Sequence, residues 1–99
     1  MQILELELQR FRNYAHQHVS FDPSCNVIFG ENAQGKTNLL EAIVYLSCGK
    51  SPRARTDREM IGFDDQDAVL ESRTLSRDRE FRTRAELYRG RRRKMWVNQ

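Results

Sequence analysis

Residues 25–43 read Cys-Asn-Val-Ile-Phe-Gly-Glu-Asn-Ala-Gln-Gly-Lys-Thr-Asn-Leu-Leu-Glu-Ala-Ile, and few stretches constrain a fold as tightly. A short apolar run, Val27-Ile28-Phe29, meets Gly30-Glu31-Asn32-Ala33-Gln34-Gly35-Lys36-Thr37 and then a segment with helical apolar spacing. Strand, Gly-x-x-x-x-Gly-Lys-Thr and helix in that order are the context a phosphate-binding P-loop requires. Gly30 and Gly35 let the backbone bend tightly and approach phosphate oxygens without a Cβ in the way, so the amides of Asn32 to Thr37 converge on an anion. A helix starting near Gly35 adds its positive N-terminal end. Lys36 supplies a point charge for the β- and γ-phosphates, and the Thr37 hydroxyl is placed to ligate magnesium. The expected ligand is a magnesium nucleoside triphosphate. The competing reading, a glycine turn that happens to join a strand to a helix, has to explain four fixed positions in the right supersecondary context. The loop alone leaves the use of the nucleotide open, because kinases, switches and motors share it.

The flanks supply the sheet and the helix. Leu4, Leu6 and Leu8 alternate with Glu5 and Glu7, the period-2 signature of a half-buried strand, and the pattern breaks over Gln9 to Tyr14. His16 to Phe21 resumes an extended pattern before the turn at Asp22-Pro23-Ser24, which predicts a second strand antiparallel to the first. His16 and His18 then share a face, a spacing able to hold zinc, but no Cys, Asp or Glu neighbours them in sequence, and they read as exposed strand histidines. Asn26 to Phe29 is a short apolar strand of the kind covered on both faces. Leu39, Leu40, Ile43, Val44 and Leu46, with Ala42 and Tyr45 between them, make a helix apolar nearly all round and therefore buried, ending near Cys48 with Gly49 as its left-handed cap.

Beyond Pro52 the character changes. Thr56 or Asp57 can cap one or two helical turns anchored by Met60-Ile61 and ended by Gly62. Ala68 to Ser72, Glu80 to Tyr88 and Lys94 to Val97 read as strands of an antiparallel meander. Arg89-Gly90-Arg91-Arg92-Arg93-Lys94 is the loop expected between the last two. It is either a phosphate-contacting finger for DNA or a solvated hairpin tip.

Ninety-nine residues suffice for one small domain, and 38% hydrophobic with 31% charged residues is globular rather than disordered. Residues 1–50 hold four Lys and Arg against five acids, and residues 51–99 hold thirteen against nine, so the second half is the basic half. Such asymmetry suits a polyanionic partner and suits ordinary solvated surface equally. The apolar runs are too short for a membrane helix, and Met1-Gln-Ile-Leu-Glu lacks the basic start and apolar core of a signal peptide, so a cytoplasmic protein is expected. Cys25 and Cys48, without Cys-x-x-Cys spacing, read as reduced, buried small residues.

Phe11-Arg12-Asn13-Tyr14, Gly30 through Ile43, and Lys50-Ser51-x-Arg53 closely resemble, in order and spacing, the start of the bacterial RecF family of DNA replication and repair proteins. The resemblance runs from Met1 to Asn98. It implies an α/β fold, a P-loop NTPase of ATP-binding-cassette head type, whose N-terminal lobe sets antiparallel strands beside a strand–P-loop–helix core. It further implies ATP with Mg2+ as cofactors, an ATP-dependent homodimer, binding to single-stranded or gapped duplex DNA, recombination-mediator partners, and work in recombinational repair and the SOS response. Residue by residue, Gly30, Glu31, Asn32, Ala33, Gln34, Gly35, Lys36 and Thr37 match the family's ATP-binding loop, and Phe11-Arg12-Asn13 the segment that folds back over the nucleotide, which would put Arg12 before a phosphate. Arg53 resembles an arginine that in related heads lies near DNA or nucleotide, although Pro52 replaces the aromatic or His expected beside it. Together with Arg53, the candidate DNA contacts are Arg89, Arg91, Arg92, Arg93 and Lys94.

The cassette signature and the acidic strand that orders magnesium and water lie further along in the family than residue 99. Asp64-Asp65 follows Gly62-Phe63 rather than an apolar run and does not replace that strand. Residues 1–99 therefore read as a single partial domain, an N-terminal fragment, and the weak DNA-dependent ATPase expected of a full-length dimer is not expected of them alone. Two rival functions stay open, a P-loop kinase or phosphotransferase and a non-catalytic nucleotide-binding remnant.

Overall fold

The alternation that opens the chain builds a long central strand. In the computed structural model, which describes residues 2–12, 14–21, 33–51, 54 and 56–98, with 33–37 and 57 by backbone alone, β1 runs Gln2–Phe11. It pairs antiparallel on one side with β2 (Tyr14–Ser20) and on the other with β3 (Asp67–Ser76). β4 (Arg79–Tyr88) and β5 (Arg91–Asn98) extend the sheet in antiparallel sequence, giving the order β2-β1-β3-β4-β5. Between β2 and β3 lie helix α1 (Ala33–Cys48) and a 3-10 turn at Asp57–Met60. The expected strand Asn26–Phe29 lies outside the described residues, as do Cys25, Pro52 and Arg53.

Residues directly opposite one another on neighbouring strands share a face. One such row crosses all five strands as Gln17, Leu8, Leu70, Ala85 and Met95. Leu8, Leu70 and Ala85 are buried there together with Leu6, Ala68 and Leu87, and Ala42, Tyr45 and Leu46 of α1 belong to the same cluster. Each fully buried leucine of this layer is worth about 1.5–3 kcal/mol. The adjacent row, His18, Glu7, Glu71, Arg84 and Trp96, lies on the opposite face, which carries the charge. One face dry and one wet is the arrangement the Leu/Glu alternation predicts.

Several expectations need correction. β1 does not stop at Leu8 but continues to Phe11. Arg10 takes a left-handed φ of 53°, which breaks the alternation without ending the strand and lets Phe11 be buried in the core. Helix α1 begins at Ala33, two residues before Gly35, and ends at Cys48, where Gly49 (φ 77°) donates its amide to the Tyr45 carbonyl at 2.8 Å. The helix is not buried all round. Leu40 and Val44 are 53% and 38% exposed, and with Ser47 and Cys48 they form the stripe turned away from the sheet. Cys48 is thus an exposed free thiol rather than a buried one.

The loop expected at Arg89 to Lys94 is only two residues long. Gly90 adopts φ 79°, Tyr88 pairs with Arg91, and Arg91 to Lys94 are already strand β5. β3 and β4 join equally tightly through Arg77 (φ 51°) and Asp78 (φ 65°), the two positive φ values that a twisted hairpin turn demands. Thr56 does precede a helical turn. Its amide donates to Glu59 Oε2 at 2.9 Å, and Met60 and Ile61 are buried before the chain reaches Gly62.

Candidate nucleotide-binding site

Of the candidate nucleotide-contacting residues, Gly30, Glu31, Asn32 and Asn13 lie outside the described residues. The backbone of Ala33, Gln34, Gly35, Lys36 and Thr37 forms the first turn of α1. The leading amides of a helix have no intrahelical carbonyl to bind, and they stand at the positive end of its dipole. That end therefore suits an anion, which is the fit a triphosphate requires. Helical φ/ψ over 33–37 is also what a P-loop adopts as it passes into its helix.

One helical turn beyond Thr37, on the same face and about 6 Å up the axis, stands Glu41. Its side chain has no exposed surface. Arg12, in the tight turn between β1 and β2, donates Nε–H to Glu41 Oε1 and Nη2–H to Oε2, both at 2.7 Å. The Ser51 hydroxyl donates to Glu41 Oε2 at 2.6 Å and accepts the amide of Ala54 at 2.8 Å. The paired carboxylate raises the Arg12 pKa above its ordinary value against the opposing effect of burial, so this arginine is permanently charged. Its backbone is fixed as well. Arg12 N–H binds the Met60 carbonyl at 2.8 Å, and the neighbouring Gly62 amide binds the Arg10 carbonyl at 2.7 Å.

Glu41 has no counterpart among the residues that motif reading selects. Its trace in the sequence is that it is the single acid of α1, set between Leu40 and Ala42, and nothing local links it to Arg12, 29 residues away.

The basic run of the second half divides among separate tasks. Arg89 donates Nε–H to the Asp65 carbonyl at 2.7 Å and Nη2–H to the Gly62 carbonyl at 3.3 Å, stapling the turn that precedes β3. Arg91 lies over the Tyr88 ring, 4.2 Å from its centroid. Arg93 reaches the Tyr45 hydroxyl on α1, whereas Arg92 and Lys94 point the other way on the alternate positions of β5; all four residues from Arg91 to Lys94 are exposed. The pleat separates these side chains instead of gathering them on one finger.

His16 and His18 are exposed on one face of β2 and engage Glu7 Oε1 at 3.0 Å and Glu5 Oε2 at 3.3 Å. Among the described residues no group of three or more His, Cys, Asp or Glu is disposed to hold a metal ion. Likewise among the described residues, no helix is long and apolar enough to cross a membrane.

Comparison with known proteins agrees with this geometry. The AAA domain family matches residues 5–96. The DNA replication and repair protein RecF of Bacillus subtilis (strain 168) is 49% identical over 78 residues, covering 79% of this chain and 21% of that protein. RecF of Clostridium kluyveri is 43% identical over 77 residues, covering 78% and 21%. Among solved structures, the recombination mediator protein RecF-ATP of the RecFOR pathway superposes with a TM-score of 0.86 at 34% identity, over 98% of this chain and 26% of that one. The RecF-ATPrS structure gives 0.84 at 31% identity, over 97% and 26%. The α/β architecture, the antiparallel lobe of an ATP-binding-cassette head, is that of these structures. The chain spans about a fifth of the length of the curated relatives it matches.

Proposed function

The chain belongs to the AAA domain family, and from that premise we propose that it is the nucleotide-binding N-terminal part of a RecF-like DNA replication and repair protein. The observation that carries this reading is the superposition of the five-stranded sheet and α1 on a RecF-ATP structure at a TM-score of 0.86, with the sequence Gly-x-x-x-x-Gly-Lys-Thr running into the start of that helix. In this reading the amides of the loop and the first turn of α1 grip the phosphates of ATP, Lys36 neutralises the β- and γ-phosphates, and Thr37 holds Mg2+. Bound magnesium would supply charge compensation at the phosphates. Glu31, Asn32, Ala33 and Gln34 shape the loop, and Arg12 and Asn13 close over the nucleotide from the β1–β2 turn.

The partial domain, residues 1–99, works within a longer cytoplasmic protein that dimerises on ATP, binds single-stranded or gapped DNA, and meets other recombination mediators during repair and the SOS response. DNA phosphates are met by Arg53 and by the exposed cations of β5. The weak DNA-dependent ATPase belongs to that dimer, because in-line attack on the γ-phosphate needs a positioned water and charge compensation beyond one lysine and one metal ligand.

Titration calorimetry tests the loop. Lys36→Ala should weaken ATP binding by about 1.5–3 kcal/mol, the value of a charged hydrogen bond, and Thr37→Ala should chiefly weaken its magnesium dependence. Unchanged ATP affinity in Lys36→Ala would overturn the assignment.

A further inference from the structure

A carboxylate with no solvent exposure, set between Leu40 and Ala42 on a helix, is expensive, and replacing a buried ion pair by well-packed apolar residues is often neutral or stabilising. Glu41 is therefore poorly explained by stability alone. What it does is fix a guanidinium. Both of its oxygens are taken by Arg12 in fork geometry, at 2.7 Å each, and Ser51 holds Oε2 from the other side. The turn that carries Arg12 is held in strained form as well, with φ values of 53° at Arg10 and 52° at Arg12, and with backbone hydrogen bonds to Met60 and from Gly62 pinning it. Strain of this kind persists only where the surroundings impose it, and it concentrates where a group must be presented in one orientation.

We propose that Glu41 is a positioning residue: it holds the Arg12 guanidinium against α1 one helical turn beyond Thr37, so that Arg12 meets a nucleotide phosphate already oriented. The pair uses Nε and Nη2, so the edge of the guanidinium at Nη1 takes no part in it. A fork fixed in advance loses little side-chain freedom when it binds phosphate, which is how preorganisation raises affinity. The inference rests on the reading of 30–37 as an ATP-binding loop. It adds that affinity depends on a residue one helical turn below that loop, which itself need not touch the nucleotide.

The test is a double-mutant cycle on ATP affinity, measured by titration calorimetry on the full-length protein, with thermal unfolding recorded in parallel. Arg12→Ala should weaken ATP binding about tenfold or more, as for a charged hydrogen bond, and Glu41→Gln should weaken it to a similar extent. The double variant should be no worse than either single one, because Glu41 acts through Arg12. A merely structural Glu41 would lower the melting temperature and leave ATP affinity unchanged, or would add its loss to that of Arg12→Ala, and either result overturns the proposal. Should Glu41→Gln fail to fold, Arg12→Lys decides. Lysine keeps the charge but cannot fill the fork, so a loss equal to that of Arg12→Ala supports positioning and full affinity refutes it. Lys36→Ala runs alongside, since unchanged affinity there would condemn the ATP-binding reading itself.

Discussion

Arg93 donates Nη1–H to the Tyr45 hydroxyl at 2.8 Å, and its guanidinium carbon lies 5.5 Å from the centre of the same ring. A residue of the basic run is thereby tied to the helix behind the P-loop instead of pointing toward a partner. Tyr45 is 1% exposed, so its hydroxyl gains a donor in a place where water has little access.

The cations of the basic run thus divide by what can be removed without harm. Arg92→Ala with Lys94→Ala should flatten the dependence of log DNA affinity on log salt by roughly 0.7 to 0.9 per lost phosphate contact, and leave stability within about 0.5 kcal/mol. Arg89→Ala should instead lower stability by about 1–3 kcal/mol, because the Asp65 and Gly62 carbonyls lose their donor. Salt-titrated DNA binding and urea unfolding of the two variants check both halves. An unchanged salt slope in the Arg92 and Lys94 variant would return β5 to ordinary solvated surface.

Gly62 is required by space rather than by backbone angle. A Cβ there would lie 2.3 Å from Asp65 Oδ2, 3.2 Å from the Arg12 carbonyl and 3.3 Å from the Arg10 carbonyl. The Asp65 carboxylate can swing aside, but the two carbonyls belong to the pinned end of β1 and the turn after it and cannot. Gly62→Ala should therefore cost about 1–3 kcal/mol of unfolding free energy, the usual penalty of overpacking. Denaturant midpoints of the variant and the parent, with equal slopes, give the measurement, and coincident midpoints would show that the turn yields freely.

The wet face of the sheet predicts acid sensitivity. The hydrogen bond with His16 holds the Glu7 carboxyl below its ordinary value of 4.5 despite opposing desolvation, and His18, followed by Arg73, does the same for Glu5. A folded-state value below the unfolded one means that the contribution is present above the ordinary carboxylate range and is lost as pH falls through the folded value. Stability should accordingly decline on acidification below about pH 5, and Glu5→Gln with Glu7→Gln should make that decline shallower while leaving the neutral-to-alkaline side unchanged. Unfolding curves taken from about pH 7 down to about pH 3 would contradict this if parent and variant fell in parallel.

The parts of the fold that were legible in the sequence are those where one residue's environment repeats at a fixed period. Leu4, Leu6 and Leu8 against Glu5 and Glu7 announced β1, and Phe81 to Leu87 announced β4, because every second residue reports the same face. The pattern failed where backbone angle rather than side chain changed the phase. Arg10 carries no mark of its left-handed φ, so the sequence pattern ends the strand three residues early. Ser72 and Thr74 sit buried on the apolar face of β3 and hid its second half, and nothing in Arg77-Asp78 resembles the Asn-Gly pair usual in such a turn. The Gly-x-x-x-x-Gly-Lys-Thr motif is legible in the sequence because it is local. Glu41 was not, because its meaning depends on a partner that only the folded sheet brings to it.

The strand order β2-β1-β3-β4-β5 also dictates how the chain can assemble. β1–β2 and β3–β4–β5 are hairpin-connected and can close within microseconds, but β1 reaches β3 only across the whole stretch that holds the P-loop and α1. Gln2 pairs with Leu75, so the ring closed by that contact is among the largest the chain offers, and its entropy must be met before the central pairing returns any energy. Docking of β1 on β3 should thus limit the folding rate. On a ribosome, the chain must emerge past Ser76 before its first hairpin has a second neighbour, leaving that edge of β1 open to other strands until then.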